Sequence, residues 1–271
     1  MNYRHIYHAG CFADVVKHII LISLMNNLCK KEAPYYALDC FAGIGRYDLS
    51  SELALKTKES DAGIKKILSS TIPLPDLLQQ YIKLAVQQNK ESVTYLGSPA
   101  IIDSFLRRED HADFCELHPE DFATLKKNMR NSEESSVHNI DAYTSLKALL
   151  PPKQKRGLIL IDPAFEVTDE FERIKEGLEI IYKKFSQATT MIWYPIKDYP
   201  KVRDFYKALA RLKKEILKIE FSLDQANTNL NSTGIIIINP PYIKNILQEN
   251  LEFLEKKIYS GKADYTVTTL N

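Results

Sequence analysis

Residues 162–165 read Asp-Pro-Ala-Phe and follow the apolar run Gly157-Leu158-Ile159-Leu160-Ile161. A carboxylate, a proline carbonyl and an aromatic ring at the end of a buried strand can grip a flat amine. Asp162 can accept one amino hydrogen and the carbonyl of Pro163 the other. Phe165 can stack on the ring that bears the amine and fix its plane. Such a grip suits substitution at nitrogen. An aryl amine is a poor nucleophile because its lone pair is delocalised, and two acceptors help to rehybridise it. No strong base is needed before the new bond forms, so Asp162 can take the proton late. Taken alone, an Asp-Pro turn with a core Phe is just as well an ordinary strand ending.

A second group of residues lies upstream. Asp39-Cys40-Phe41-Ala42-Gly43-Ile44-Gly45 follows a short apolar strand. Its glycines allow a tight turn and a close backbone approach to a ligand. The third glycine of a dinucleotide fingerprint is missing. Glu116 ends an expected strand at 112–117, where its carboxylate can accept from two ribose hydroxyls. Asp141-Ala142 follows another, around 136–141, where a carboxylate can accept the amino hydrogens of an adenine ring. Singly these are a loop glycine and two solvated acids. Together, at three successive strand ends, they resemble the S-adenosylmethionine site of Rossmann-like methylases, by analogy of fold.

The elements that must position these groups alternate. Strands are expected at 35–39, 112–117, 136–141, 156–161, 189–194, 216–223 and 234–238. Helices are expected at 12–29, from about 97, and at 119–130, 143–149, 169–185, 199–213 and 244–257. That order implies a mainly parallel sheet covered on both faces. Its ligands bind outside the carboxyl ends of the strands, where the strand order switches. Residues 50–95 are too long for a βα loop. They read as two helical stretches, 50–69 and 74–90, inserted beside the cleft in an otherwise single domain spanning 1–271, and are expected to shape substrate access.

Asn239-Pro240-Pro241-Tyr242 matches an amine-gripping turn better on paper than residues 162–165 do. It follows the last expected strand, 234–238. In the fold this chain resembles, that strand runs antiparallel, so its end lies on the rim opposite the cofactor. Asp162 is therefore the expected catalytic residue, and the diproline is expected only to end a strand.

Composition sets limits. The chain has 271 residues with a formal net charge of +1, so overall charge indicates no nucleic-acid partner. Any basic surface must be local, as at Arg107-Arg108, Lys126-Lys127 with Arg130, Lys153 to Arg156, or Arg211 to Lys218. Cys11, Cys29, Cys40 and Cys115 show no metal spacing, and a reducing cytoplasm is expected. The apolar stretch Ile19–Met25 is too short to cross a membrane and reads as a buried helix. No membrane partner is expected, and the chain is expected to be a monomer. His5, His8, Asp14 and His18 crowd the N-terminal segment, but no one helix face gathers all four, so no metal is expected.

With these motifs in place, the chain resembles the bacterial 23S ribosomal RNA adenine(2030)-N6-methyltransferase family over essentially its whole length. The resemblance is carried by Tyr3-Arg4-His5, His8-Ala9-Gly10, Ala13-Asp14-Val15, Lys17-His18, Gly45-Arg46-Tyr47, Gly97-Ser98-Pro99, Glu116-Leu117-His118-Pro119, the run from Arg156 to Pro163, Trp193-Tyr194-Pro195 and Ile238-Asn239-Pro240-Pro241. It implies a Rossmann-like class I S-adenosylmethionine-dependent methyltransferase. The expected sheet is mostly parallel and seven-stranded, with a last antiparallel strand and an inserted helical subdomain at about 50–95. It implies S-adenosyl-L-methionine held by positions matching His18, Phe41, Ser98, Glu116, Asp141, Ala142 and Asp162. Asp162 matches the catalytic acid, and Tyr3 matches a tyrosine near the substrate, 23S ribosomal RNA. With Tyr3, Phe165 is the expected contact to the RNA, and Arg4 and Arg46 are further candidates. The chain departs from the family pattern at Ala164 and Phe165, usually Pro and Tyr, at Phe41, usually His, and at Ala142, usually Gly. Two other readings stay open. One is a non-catalytic RNA-binding or assembly protein that keeps a methylase fold. The other is an amine methylase acting on DNA or on a protein glutamine.

Overall fold

Buried runs alternating with helices leave the backbone few choices, and the computed structural model, which describes residues 4–88, 93–224 and 230–270, follows that alternation. A short turn at His5–Tyr7 leads into helix α1 (Phe12–Cys29) and strand β1 (Tyr36–Asp39). Then come β2 (Arg46–Asp48), α2 (Glu52–Thr57), α3 (Ile64–Leu68), α4 (Asp76–Ala85), β3 (Val86–Gln88) and β4 (Val93–Leu96). The chain continues through α5 (Ser98–Asp103), β5 (His111–Cys115), α6 (Pro119–Asn128), β6 (Ser135–His138), α7 (Ala142–Leu149) and β7 (Gly157–Ile161). It closes with α8 (Glu170–Phe185), β8 (Thr189–Pro195), α9 (Tyr199–Ala210), β9 (Ile216–Leu223), β10 (Ser232–Ile238), α10 (Lys244–Phe253) and β11 (Ala263–Thr269).

The main sheet has the order β11-β9-β10-β8-β7-β1-β5-β6. β1 pairs in parallel with both β5 and β7, and β7 in parallel with β8. The strand order therefore switches between β1 and β7, and the loops leaving those strands face one crevice. β10 runs antiparallel between β8 and β9, as expected for the strand at 234–238.

Where seven strands are expected, the sheet has eight. β11 adds an antiparallel edge alongside β9. Its sequence, Ala-Asp-Tyr-Thr-Val-Thr-Thr, is polar and β-branched, with only Ala263 and Val267 buried. An edge strand exposed on one face gives no continuous apolar run to find. The segment 50–95 is not purely helical either. The expected helix at 74–90 stops at Ala85, and β3 and β4 join β2 in a small antiparallel sheet. The β-branched residues Val86, Val93 and Thr94 favour that outcome. The last helix also ends sooner than expected, at Phe253, with a single wide turn from Leu254 to Ile258 beyond it.

Apolar packing covers both faces of the sheet. One layer gathers α1, α4, α5 and α10, and the other gathers α7, α8 and α9. Helix α1 is apolar nearly all round, as befits a central helix. It is long and apolar enough to cross a membrane by composition, but most of it is buried inside the protein. Four polar residues, Asp14, Lys17, His18 and Ser23, lie in its buried stretch. A charged group there costs free energy unless it is paired, so its partners mark the place to look for chemistry.

Candidate active site

The switch in strand order opens into a cleft of about 620 Å³, large enough for a nucleoside-sized ligand. His18, Phe41, Ser98, Glu116, Asp141, Ala142, Asp162 and Phe165 all line it. The sequence-expected residues thus come together, delivered by α1, the β1 loop, α5 and the ends of β5, β6 and β7. Tyr3 lies outside the described residues.

Asp162 leaves the end of β7 and meets the buried lysine. Lys17 Nζ donates to Asp162 Oδ2 at 2.6 Å and lies 2.7 Å from Asp14 Oδ1. Lys17 is only 5% exposed at its side chain and Asp162 13%. Burial opposes the ammonium charge, but Asp14 and Asp162 outweigh it and hold the lysine pKa well above its usual range. Asp14 is anchored in turn by His5 Nε2 at 3.0 Å and by the backbone N–H of Gly10 at 2.9 Å. Burial opposes its charge too, yet His5 and Lys17 hold its pKa well below the usual carboxylate range. Asp162 is thereby fixed in one orientation by a cation that is itself fixed. Spacing alone did not single out Lys17. The available signal was a lysine set in the apolar face of a buried helix.

The cofactor side of the cleft centres on Glu116, which is 7% exposed. Its Oε2 accepts from the N–H of Gly43 at 3.0 Å, and its Oε1 from the N–H of His118 at 2.7 Å. Each oxygen keeps a second lone pair for a ligand hydroxyl. Burial raises the Glu116 pKa, opposed by the His118 amide and reinforced by Asp121. Gly43 has φ +60, and a Cβ there would stand 2.3 Å from the Tyr47 hydroxyl. The turn therefore demands glycine both for its conformation and for its close packing.

Asp141 caps α7. Its Oδ1 accepts from the N–H groups of Tyr143 and Thr144, and its Oδ2 pairs with Arg173 at 3.0 Å. The carboxylate thus holds the floor of the cleft in place, with one lone pair of Oδ2 left for a ligand. Phe41 stands edge-on to Tyr143, ring centroids 6.0 Å apart. Ser98 is buried beside Asp39 at the start of α5. Burial pushes the Asp39 pKa up to about 7, against the Ser98 hydroxyl and with the help of Asp162. His18 is 1% exposed, and its Nδ1 lies 2.6 Å from the Tyr95 hydroxyl. Burial, then Lys17, pushes its pKa down to about 3, so the imidazole is neutral at neutral pH.

The described part of the N-terminal segment contributes to the wall of the cleft. His5 and His8 line the cleft. Arg4 pairs with Glu120 at 3.0 Å and Asp121 at 2.8 Å, and His8 with Glu59 at 2.9 Å. Arg46 donates to Gln87 across the small sheet at 3.3 Å. Among the described residues, no group of histidines, cysteines and acids has the arrangement of a metal site.

Comparison with known proteins fits this geometry. A family profile described as "Ribosomal RNA large subunit methyltransferase D, RlmJ" matches residues 32–270. A protein of Haemophilus influenzae, "Ribosomal RNA large subunit methyltransferase J", is 36% identical over 98% of this chain and 98% of its own. Its namesake in Escherichia coli strain K12 is 34% identical, over 99% of this chain and 98% of its own. The chain belongs to this methyltransferase family. The crystal structure of protein LPL1258 from Legionella pneumophila superposes with a TM-score of 0.89 at 33% identity, over 97% of this chain and 99% of that one. The fold is the Rossmann-like class I methyltransferase fold, its mostly parallel sheet carrying an antiparallel strand near the end.

Against that family frame, the two departures after Pro163 have a visible setting. Phe165 takes a left-handed φ of +52 and packs edge-on to Phe171 (5.0 Å) and Trp193 (6.1 Å). Ala164 lines the cleft beside it. The competing Asn239-Pro240-Pro241-Tyr242 turn is absent from the cleft lining. It follows antiparallel β10, beside the starts of β8 and β9, on the opposite rim.

Proposed function

We infer that this chain transfers a methyl group from S-adenosyl-L-methionine to N6 of one adenine of 23S ribosomal RNA, adenine 2030, as a cytoplasmic monomer. The observation that carries the reading is the meeting, in one cleft, of Asp162 on its buried lysine with Glu116 and Asp141. S-adenosylmethionine, when bound, supplies an electrophilic methyl group. Glu116 would hold its ribose hydroxyls. Asp141, with the backbone at Ala142, would face its adenine ring, and His18, Phe41 and Ser98 would wall the rest. His18 is neutral there and adds no cation to repel a sulfonium. Residues 50–95 form, on this reading, an inserted subdomain that shapes the approach of the substrate.

The substrate adenine must leave any helix it occupies before it can reach Asp162. Asp162 Oδ and the Pro163 carbonyl then accept its two amino hydrogens. Phe165 holds the plane of the base from the side. As the carbon–nitrogen bond formed and the methyl carbon–sulfur bond broke, leaving the neutral thioether S-adenosylhomocysteine, one amino proton would pass to Asp162. Lys17 keeps the carboxylate aimed throughout, and Asp14 and His5 keep Lys17 in place. Tyr3 and Arg4 would close over the mouth.

The test is mass spectrometry of ribosomal RNA from cells lacking the gene, with add-back of the wild-type protein and of Asp162→Ala. The expected result is loss of one N6-methyladenosine and its restoration by wild type only. An unchanged modification profile in the deletion strain would remove the RNA assignment.

A further inference from the structure

The Asn239-Pro240-Pro241-Tyr242 turn takes no part in the cleft, yet it holds its last residue far out. Tyr242 is fully exposed, at 105% of its reference area, while the next residue, Ile243, is buried. The turn is pinned from beneath. The Asn239 side-chain amide donates to the carbonyls of Ser186 (3.1 Å) and Ala188 (2.9 Å), and its backbone N–H donates to that of Glu215 (3.0 Å). Two prolines fix φ in the next two residues. A ring displayed from so rigid a backbone is a stacking platform.

Cations gather on the same rim, in part for a reason intrinsic to the fold. Helices in a parallel sheet run against the strands, so their C-terminal ends gather at the strand starts and favour Lys and Arg. Some of these cations are occupied there. Arg156 donates to the carbonyls of Leu28 and Ala33, and Lys184 to that of Leu150. Lys183, Arg211 and Lys213, at or just beyond the C-terminal ends of α8 and α9, and Lys244, at the start of α10, are different. They are exposed, and among the described residues none has a carboxylate within 4.0 Å. They stand close to the turn in the chain path. Lys183 lies in the last turn of α8, three residues before Ser186, whose carbonyl accepts from both Asn239 and Lys214. The cleft, by contrast, is lined by eight carboxylates and only three Lys or Arg side chains. A polyanion finds little to hold it there.

We propose that this far rim is a second RNA-binding surface, on which Tyr242 stacks against an unpaired base and Lys183, Arg211, Lys213 and Lys244 meet the neighbouring phosphates. The proposal rests on the reading of the chain as an RNA methylase. Strands of five to seven residues separate the two rims by roughly 20 Å at about 3.3 Å per residue. An RNA of many helices can wrap from one rim to the other, whereas a short hairpin seated in the cleft leaves the far rim uncovered.

The test compares full-length 23S ribosomal RNA with a short hairpin carrying only the adenine and its own stem. Tyr242→Ala and the combined variant Lys183→Gln, Arg211→Gln, Lys213→Gln are titrated with both RNAs over a range of salt, and hairpin methylation is followed in single turnovers. For the long RNA, Tyr242→Ala is expected to weaken binding about tenfold. The triple variant is expected to flatten the salt slope by about 2. Hairpin methylation should not change in either. Wild-type affinity and salt slope in both variants would overturn the proposal, as would equal losses on the two RNAs. Loss of binding to phosphatidylglycerol vesicles with RNA binding intact would overturn it in favour of a membrane. Weakened RNA binding by the variants, with no methylation of any RNA by wild type, supports this surface and sinks only the methylase reading.

Discussion

Two turns in this chain carry nearly the same residue types and do opposite things. Asp162-Pro163-Ala164-Phe165 ends parallel β7, whereas Asn239-Pro240-Pro241-Tyr242 ends antiparallel β10. Strand direction sends the first to the cleft and the second to the far rim. The polar groups are spent differently as well. Asn239 uses its side chain to tie down backbone carbonyls, and its own carbonyl accepts from the Thr189 hydroxyl. Among the described residues Asp162 has one protein partner for its carboxylate, Lys17, and it faces a cavity. A side chain consumed by the backbone is structural. One held on a single fixed cation and open to a cavity is available for chemistry.

The largest break in that contrast comes from Asp162→Ala, with Asp162→Asn as its isosteric companion. Turnover of labelled cofactor on RNA should fall by about 10²–10⁴-fold, the range for a lost proton acceptor. Retained turnover in either variant would take Asp162 out of the mechanism. Lys17→Met should give a smaller loss in turnover with cofactor affinity kept, because Lys17 acts only through the position of Asp162.

The two rims should also titrate with opposite signs. His18, in the cleft, has its pKa held down to about 3 by burial and then by Lys17. The unfolded chain binds a proton near pH 6.5 and the folded one does not, so stability is lost as pH falls from about 6.5 towards 3. Over that window the loss is on the order of a few kcal/mol. His111, at the start of β5 on the far rim, has its pKa raised, first by its hydrogen bond to Asp113. Its contribution is fully present below the unfolded pKa and disappears as pH rises through the folded one. It is partly exposed, so about 0.5 kcal/mol is the expected size. Denaturant unfolding at pH 5 and pH 8 checks both. His18→Gln should flatten the dependence, and His111→Gln should lose stability at pH 5 but not at pH 8. Parallel shifts in the two variants would undo the assignment.

Much of this was legible in the chain. β7 is an uninterrupted apolar run and β10 ends in one, Ile235 to Ile238, α1 has the bounds its periodicity implies, and the strand-ending acids Glu116 and Asp141 reach one cleft because the topology requires it. What escaped was set by tertiary context. β11 is half polar and is a strand because β9 lies open beside it. β3 needed β4, and β4 needed β2. The part of Lys17 depends on Asp162, 145 residues away, a contact no local pattern encodes. The Asp141 carboxylate is more committed to its own helix and to Arg173 than its place at a strand end implies.

A cofactor-side substitution tests the cleft without touching the amine. Glu116→Ala should weaken S-adenosylmethionine binding by about 1–3 kcal/mol, the cost of charged hydrogen bonds left unmade. Calorimetry reads it directly. Unchanged affinity would remove Glu116 from the site and leave it the holding of the Gly43 and His118 amides.

At the other turn the expected effect on turnover is nil and that on stability is small. Asn239 adopts φ +53, a conformation that glycine takes without penalty, so Asn239→Gly preserves the backbone path and deletes only the side chain. Two hydrogen bonds are lost, to the carbonyls of Ser186 and Ala188. Ser186 lies at the surface, where water can replace the donor, so the net cost should be about 1 kcal/mol. For a domain of this size that lowers Tm by roughly 2–4 °C. Turnover per folded molecule should match wild type, because none of the deleted atoms reaches the cleft. Thermal unfolding and hairpin methylation on the same preparation separate the two quantities. Wild-type unfolding with lost turnover would mean that the chemistry lies at Asn239, and that strand direction had been the wrong criterion for choosing between the two turns.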